Sequence, residues 1–345
     1  MNTLIGTFIW VLGGLAGATF ALPFRKVKGW SYESYWLIWA LFGLILFPIA
    51  LGLATVPNLF GVIFSAPAKT LVLCAAFGAL WGIGGLAWGL MIRYLGVGLG
   101  LAIGCGLCSA TGTLIPPIVK GQAASLVADK GAIITLASVI VSLLGIVFVG
   151  LAGKSKENEL PEEEKKKAVA EFNFKKGLIV AIVAGLASAG MNFGLQSGGV
   201  LENGALDAGA KEVWKGMGVL VVVLFGGFIV QLIWCLQQNA KNKTFKDYAT
   251  IVKPASAGVL FWSGLAGIVW ACQFACQKVG ESLAGSIAYI SFAIVMGSSV
   301  LFSSLIGIAL GEWKGTGAKT RNYLALGLVI LAASIGIAVI AKLVK

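Results

Sequence analysis

The sequence has no histidine in 345 residues, only 14 acidic residues, and a charged fraction of 12%. Without histidine there is no Ser–His or Cys–His catalytic pair, no imidazole metal site and no imidazole proton relay. A soluble domain is about 25% charged, so this chain is neither an ordinary soluble enzyme nor a disordered protein. Cysteine is scarce as well. Cys74, Cys105, Cys108, Cys235, Cys272 and Cys276 all lie in apolar runs, and Cys105 and Cys108 sit in a Gly-rich stretch rather than at a redox turn. They read as small packing residues, not as a disulfide framework or a metal set. No basic stripe with interleaved aromatics accompanies the net charge of +12, so nucleic acid is not the expected partner.

What the chain does have is apolar sequence, 58% by count, with a mean hydropathy of +0.93. That is the composition of an all-α polytopic membrane protein. A bilayer core takes about 20 mainly apolar residues in a helix. Ten runs qualify: 2–23, 35–57, 69–92, 96–117, 131–152, 177–200, 213–236, 254–279, 283–309 and 321–343. The first has no basic segment ahead of it and runs through Trp10 to Pro23, so it is expected to be a true span rather than a cleaved signal.

The loops alternate in charge. One set carries eighteen Lys and Arg, the other eight. The positive-inside rule puts the richer set in the cytoplasm and both termini outside it. Residues 154–176 then form a charged cytoplasmic linker, with Pro161–Lys167 a solvated segment, between five spans (1–153) and five more (177–345). An odd number of spans per half makes the second half enter from the opposite side. Faint internal matches agree: Gly14-Leu15-Ala16-Gly17-Ala18 with Gly185-Leu186-Ala187-Ser188-Ala189, and 93–99 with 277–283. The expectation is two inverted five-helix repeats, a secondary-transporter architecture with its site near the midplane.

No Asp or Glu falls clearly within these runs, so the polar content of the spans is neutral: amides, hydroxyls and indoles. Such groups suit a neutral, hydroxylated ligand, with indole faces covering its C–H surface and amides pairing its hydroxyls. Helical spacing gathers candidates. Trp262, Ala266, Trp270, Gln273 and Gln277 share a face, as do Ser188, Asn192 and Gln196, and Trp81, Gly84, Gly85 and Trp88. Trp10 in the first run and Tyr289 in the ninth complete the expected sugar-binding set of Trp10, Trp81, Trp88, Asn192, Gln196, Trp262, Trp270, Gln273 and Tyr289. A membrane enzyme would need a nucleophile–base or metal constellation at bilayer depth, and none is visible; neither a metal nor a cofactor is expected. An exporter or exchanger of small metabolites or drugs on the same scaffold is the alternative, although a cationic drug would want an intramembrane carboxylate.

Several motifs carry a family resemblance. They are Pro23-Phe24-Arg25-Lys26-Val27-Lys28-Gly29-Trp30-Ser31-Tyr32-Glu33, Trp81-Gly82-Ile83-Gly84 with Met91-Ile92-Arg93-Tyr94-Leu95-Gly96, Glu171-Phe172-Asn173-Phe174-Lys175-Lys176-Gly177 with Ser188-Ala189-Gly190-Met191, and Gly311-Glu312-Trp313-Lys314. In order along nearly the whole chain, these resemble the bacterial L-rhamnose–proton symporter family of the drug/metabolite transporter superfamily. The resemblance implies ten helices in two inverted repeats, a multi-pass protein of the bacterial inner membrane, and uptake of a deoxysugar coupled to a proton or another cation. The chain departs from the family pattern at Ala284–Ser291, which holds no acid. If a proton is carried, the candidates are the acids near span ends: Glu33, Glu202, Asp207 and Glu281. Glu281, three residues after Lys278, is also placed for a plain salt bridge.

Overall fold

The computed structural model describes residues 2–95, 97–159, 174–251, 254–311 and 313–341, and among these no strand occurs. The expected linker block Pro161–Lys167 lies outside the described residues. The helices are α1 (Asn2–Thr19), α2 (Tyr32–Ala40), α3 (Phe47–Thr55), α4 (Leu59–Ser65), α5 (Ala68–Leu95), α6 (Val97–Val119), α7 (Lys130–Glu159), α8 (Phe174–Ser188), α9 (Gly190–Ser197), α10 (Gly199–Asp207), α11 (Met217–Asn242), α12 (Pro254–Ala284), α13 (Ser291–Ala309) and α14 (Ala318–Ile340). Among the described residues, eight segments are long and apolar enough to cross a membrane, and Ile103–Val119 is a shorter apolar helix. Large apolar side chains such as Phe8, Phe64, Val72, Phe261 and Val329 point outward. Water would penalise such a belt; lipid accommodates it.

Three departures from regular helix shape the interior. A π-helical turn, Leu41–Leu46, joins α2 to α3. Pro48 follows it, and a proline lacks the N–H that would bond four residues back and crowds that carbonyl, so the register widens just before it. The run expected to be continuous over 177–200 is instead broken at Ala189 and Gly198 into α8, α9 and α10. The boundary expected between 279 and 283 also moves. α12 runs on to Ala284, stops at Gly285 with its left-handed φ of 62°, and gives way to a 3-10 turn, Gly285–Ile290. Glycine takes that conformation without a Cβ penalty. Lys278 and Glu281 are therefore on the helix and not in a loop.

Helix α1 packs on α12 and α13, α5 on α8, α9 and α11, α6 on α7 and α8, α2 on α11 and α12, and α7 on α14. Close approach needs small residues in lipid. A Cβ on Gly43 would lie 2.6 Å from the Gly267 carbonyl oxygen, and one on Gly190 would lie 2.6 Å from that of Phe77. The helix ends sort into two sets. At one end the Ser31 N–H donates to Asp247 (2.9 Å), Ser34 donates to Asn239 (2.8 Å), and Glu33 accepts from Asn242 (3.0 Å) and Thr244 (2.7 Å). Lys156 lies 4.9 Å above the Trp313 ring at that end, and the Gly317 N–H donates to Glu159. These segments belong to the Lys/Arg-rich loops. At the other end, the start of α1 meets the last turns of α12, with Gly6 against Gly280.

Candidate functional site

A cavity of about 930 Å³ opens at the end of the bundle that holds the start of α1. Its walls come from the ends of α6, α9, α12 and α14, the starts of α7 and α10, and the 3-10 turn Gly285–Ile290. Of the expected sugar-binding residues, Gln196 and Tyr289 line it; of the expected acids, Glu202 and Glu281 do.

The floor is a continuous polar network. Lys278, buried on α12, pairs with Glu281 one turn along (2.8 Å) and also with Glu202 of α10. The remaining oxygen of Glu281 accepts from Gln277 Nε2 (3.0 Å), from Gln196 Nε2 (3.4 Å) and from the Ser291 hydroxyl. Gln277 Nε2 also donates to Asn192 Oδ1 (2.7 Å), and Asn192 Nδ2 donates to the Gly112 carbonyl. Lys120, at the mouth, donates to Gln196 Oε1 (3.2 Å). Two buried oxygens at this floor, Gln277 Oε1 and Tyr289 Oη, find no hydrogen-bond partner among the described residues. A buried polar atom without a partner is costly. Tyr289 lines the cavity, whereas Gln277 is fully buried behind the wall formed by Glu281 and does not line it.

The broken sixth segment explains how the amides reach the floor. Gly190 lets α9 lie against α5, and the breaks at Ala189 and Gly198 aim Asn192 and Gln196 inward and bring Glu202 to Lys278. Discontinuous helices beside a site are a recurring transporter device.

Below the floor the bundle is closed by aromatic rings. Trp270 stacks on Trp81 (centroids 5.0 Å apart) and packs edge-on against Trp39 (5.2 Å) and Phe274 (4.9 Å). Trp39 stacks in turn on Trp36 (4.4 Å), whose Nε1 donates to Gln231 (3.0 Å). Trp270 and Gln277 are seven residues apart on α12, about 10 Å of rise.

The other expected residues lie elsewhere. The Trp10 indole is fully buried and donates to the Gln277 carbonyl (3.1 Å), sealing α1 to α12. Trp88 donates to the Ser188 hydroxyl (2.8 Å), tying α5 to α8. Trp262 packs edge-on against Phe261. Gln273 is buried against Gly17 of α1. Trp10, Trp88, Trp262 and Gln273 do not line this cavity. An indole N–H that reaches a neighbouring helix is as useful for packing as for a ligand. Glu33 is at the opposite end of the bundle, and Asp207 is exposed at the end of α10.

The salt bridge expected between Lys278 and Glu281 is present. What the sequence did not disclose is the burial of Lys278 on the helix with Glu202 as a second partner, and the part played by Ser291. The signal for Lys278 was present: Trp270, Gln273, Gln277 and Glu281 continue one stripe at steps of 3, 4 and 4, which calls for unbroken helix past residue 279. Ser291 gave none, because its approach to Glu281 depends on the turn at Gly285. Among the described residues no cluster of three or more metal-ligating side chains occurs.

The profile of the family described as L-rhamnose-proton symport protein (RhaT) matches residues 1–342. An L-rhamnose-proton symporter of Klebsiella pneumoniae is 33% identical over 330 residues, covering 95% of this chain and 94% of that protein. One of Escherichia coli is 33% identical over the same length, with the same shares covered.

Proposed function

The chain belongs to the L-rhamnose-proton symport protein family, and from that premise we propose that it carries L-rhamnose into the cell with a proton, binding the sugar at the floor of the vestibule. It is a membrane transporter and not an enzyme. The sugar is L-rhamnose because the family match and the relatives agree on it over nearly the full length.

We read the architecture as ten spans in two inverted five-helix repeats, 1–153 and 177–345, on the scaffold of the drug/metabolite transporter superfamily. The 54-residue stretch Ser256–Ala309 holds two helices, α12 and α13, and α6 supplies one more beyond the eight. The helix pairing supports the repeat, because it maps onto itself when the halves are exchanged. The first span of one half packs on the third and fourth of the other (α1 on α12 and α13; α8 and α9 on α5, α8 on α6), and the second packs on the third (α2 on α12; α11 on α5). The two fifth spans, α7 and α14, pack on each other. Clustering of the Lys/Arg-rich loops at one end supports a cytoplasmic placement for that end. Both termini and the vestibule mouth then face outward across the inner membrane, and the aromatic rings close the cytoplasmic side.

The observation that carries the site is the polar wall of the cavity, where Tyr289, whose Oη has no partner among the described residues, stands with the amide of Gln196, and the unpartnered Gln277 Oε1 is buried behind them. Sugar hydroxyls donate to Tyr289 Oη and accept from Gln196, and they reach Gln277 only once the floor rearranges. Leu195 and Ile287 in the same wall offer apolar contact for the 6-methyl group that distinguishes a 6-deoxysugar. Proteoliposomes with an imposed inside-alkaline pH gradient test the reading. They should accumulate L-rhamnose, and L-mannose, with a hydroxymethyl in place of the methyl, should compete weakly. Gln196→Ala and Tyr289→Phe should each weaken binding by about 10-fold, the scale of one lost buried hydrogen bond. Failure of the wild-type protein to accumulate L-rhamnose overturns the function, and unchanged affinity in both variants overturns the site.

A further inference from the structure

The charge count at the vestibule floor is unequal. One ammonium, Lys278, faces two carboxylates, Glu202 and Glu281, and all three are largely shielded, with side-chain exposures of 6%, 18% and 9%. The other charged or titratable groups nearby do not close the gap. Lys120, exposed at the mouth and bonded to Gln196, acts on both Glu202 and Glu281 through space, but from a position that solvent screens while the vestibule is open. Lys215 is paired with its own neighbour Glu212, and Asp129 is exposed at the rim. Tyr289 and Cys74, the latter bonded to the Gly194 carbonyl, are neutral groups. Helices α1 and α13, which flank α12, carry no titratable side chain, and Glu33 of α2 is at the far end. Counting only the groups largely shut from water, the cluster therefore holds one net negative charge.

Resting on the symport reading above, we propose that Glu281 is the residue that takes up the transported proton, and that Lys278, held permanently by Glu202, is the positioning residue that limits uptake to one proton per cycle. Sealing a net charge from water is expensive. While the vestibule is open the extra charge is tolerated; closing it over the sugar requires neutrality. A proton from the open side bonds to a carboxylate oxygen of Glu281, giving a carboxylic acid and a neutral cluster, and the same O–H bond breaks when the site opens to the other side. Glu202 keeps the buried ammonium compensated in both states, which is why two acids serve one lysine.

The geometry also says how the proton reaches the sugar site. Ionised Glu281 is the common acceptor for Gln196, Gln277 and Ser291. Once protonated it needs fewer donors and becomes a donor itself. Gln196 and Gln277 are then free to turn to sugar hydroxyls, so proton and sugar each raise the other's affinity, as linkage requires. A salt bridge with only a structural role would not tie the sugar-binding amides to one carboxylate.

The test is sugar affinity against pH in the purified full-length protein, together with gradient-driven uptake and solute exchange in proteoliposomes. Wild-type affinity for L-rhamnose should fall about 10-fold per pH unit on the alkaline side of the proton-binding step. Glu281→Gln, which imitates the protonated acid, should bind at every pH and exchange sugar across the membrane, yet accumulate none against a gradient. Lys278→Met paired with Glu202→Gln keeps one net negative charge on Glu281 and should retain the pH dependence; Lys278→Met alone should lose transport. If wild-type L-rhamnose uptake is itself indifferent to the pH gradient, the symport reading has failed. If wild-type uptake is proton-driven and Glu281→Gln still accumulates sugar, the assignment of Glu281 is wrong. If Glu281→Gln does not fold, the double variant decides, since loss of its pH dependence refutes the charge argument.

Discussion

Trp270 is where the closed end of the transporter can be weighed. Only 8% of its surface is exposed, and its ring touches those of Trp81, Trp39 and Phe274. Trp270→Ala removes three ring pairs. Phe274 is on α12 itself, so only the Trp81 and Trp39 pairs cross between helices. Each contributes about 0.5–1.5 kcal/mol beyond area burial, and because they share one ring they are not additive, so the two amount to about 1–2 kcal/mol. They join α12 to α5 and α2, and opening that end of the bundle has to part them. Their loss should therefore move the equilibrium between its closed and open states by about 5- to 30-fold, at 1.4 kcal/mol per factor of ten. A single cysteine in place of Phe20, which packs against Trp39, would report this in an otherwise cysteine-free protein. A membrane-impermeant thiol reagent applied to inside-out vesicles should label it at least about 5-fold faster in Trp270→Ala, with Trp270→Phe in between. Unchanged labelling alongside a lowered melting temperature would mean that the rings are ordinary core and that the gate lies elsewhere.

Two further outcomes follow from the packing and the loops. Gly43→Leu should abolish expression or transport, because even its Cβ would sit 2.6 Å from the Gly267 carbonyl oxygen where α12 meets the π turn, whereas Gly29→Ala, with no atom within 4 Å, should lose little beyond strain at its φ of 84°. Burial works to raise the Asp247 carboxyl, but the Ser31 N–H, the hydroxyls of Ser31 and Ser34, and Lys246 together hold it below the usual carboxylate range. The stabilising contribution of that clasp is thus present above the unfolded value near pH 4 and lost as pH falls through the lower folded value; melting temperature against pH should show this acid arm, and Asp247→Asn should flatten it.

Long apolar runs made the helices legible, since each run has to satisfy its own backbone in lipid. The helix breaks were harder to read. Gly198-Gly199 is a visible signal inside the run 177–200, but an isolated glycine pair in lipid more often packs than breaks, and the choice here depends on α5 lying against Gly190. Hydropathy also ended the eighth run at residue 279, because Lys278 and Glu281 count against it. Hydropathy scores each residue alone. Two opposite charges one turn apart, with a third supplied from α10, cost far less together than their separate values suggest. The same blindness hid the roles of the tryptophans. Depth in the run singled out Trp10, and spacing put Trp88 on a face with Trp81, but only the position of the neighbouring acceptor, the Gln277 carbonyl or the Ser188 hydroxyl, assigns those indoles to helix packing.

Helices α12 and α5 carry different chemistry, and the direction of each gives that difference its use. Helix α12 runs from Trp262 and Trp270 to Gln277, Lys278 and Glu281, so its polarity rises toward the vestibule. Helix α5 runs the other way and brings Trp81 and Trp88 to the aromatic end with only glycines, Gly82, Gly84 and Gly85, between them on that stretch besides Ile83, Leu86 and Ala87. Rings therefore gather where water is excluded and charges where it enters. If alternating access parts these rings, it costs the few kcal/mol of their contacts, whereas closing over the charges costs far more unless they are neutralised. On the proposed assignment the larger cost is met at the vestibule floor, where Glu281 takes up its proton, and the aromatic end follows.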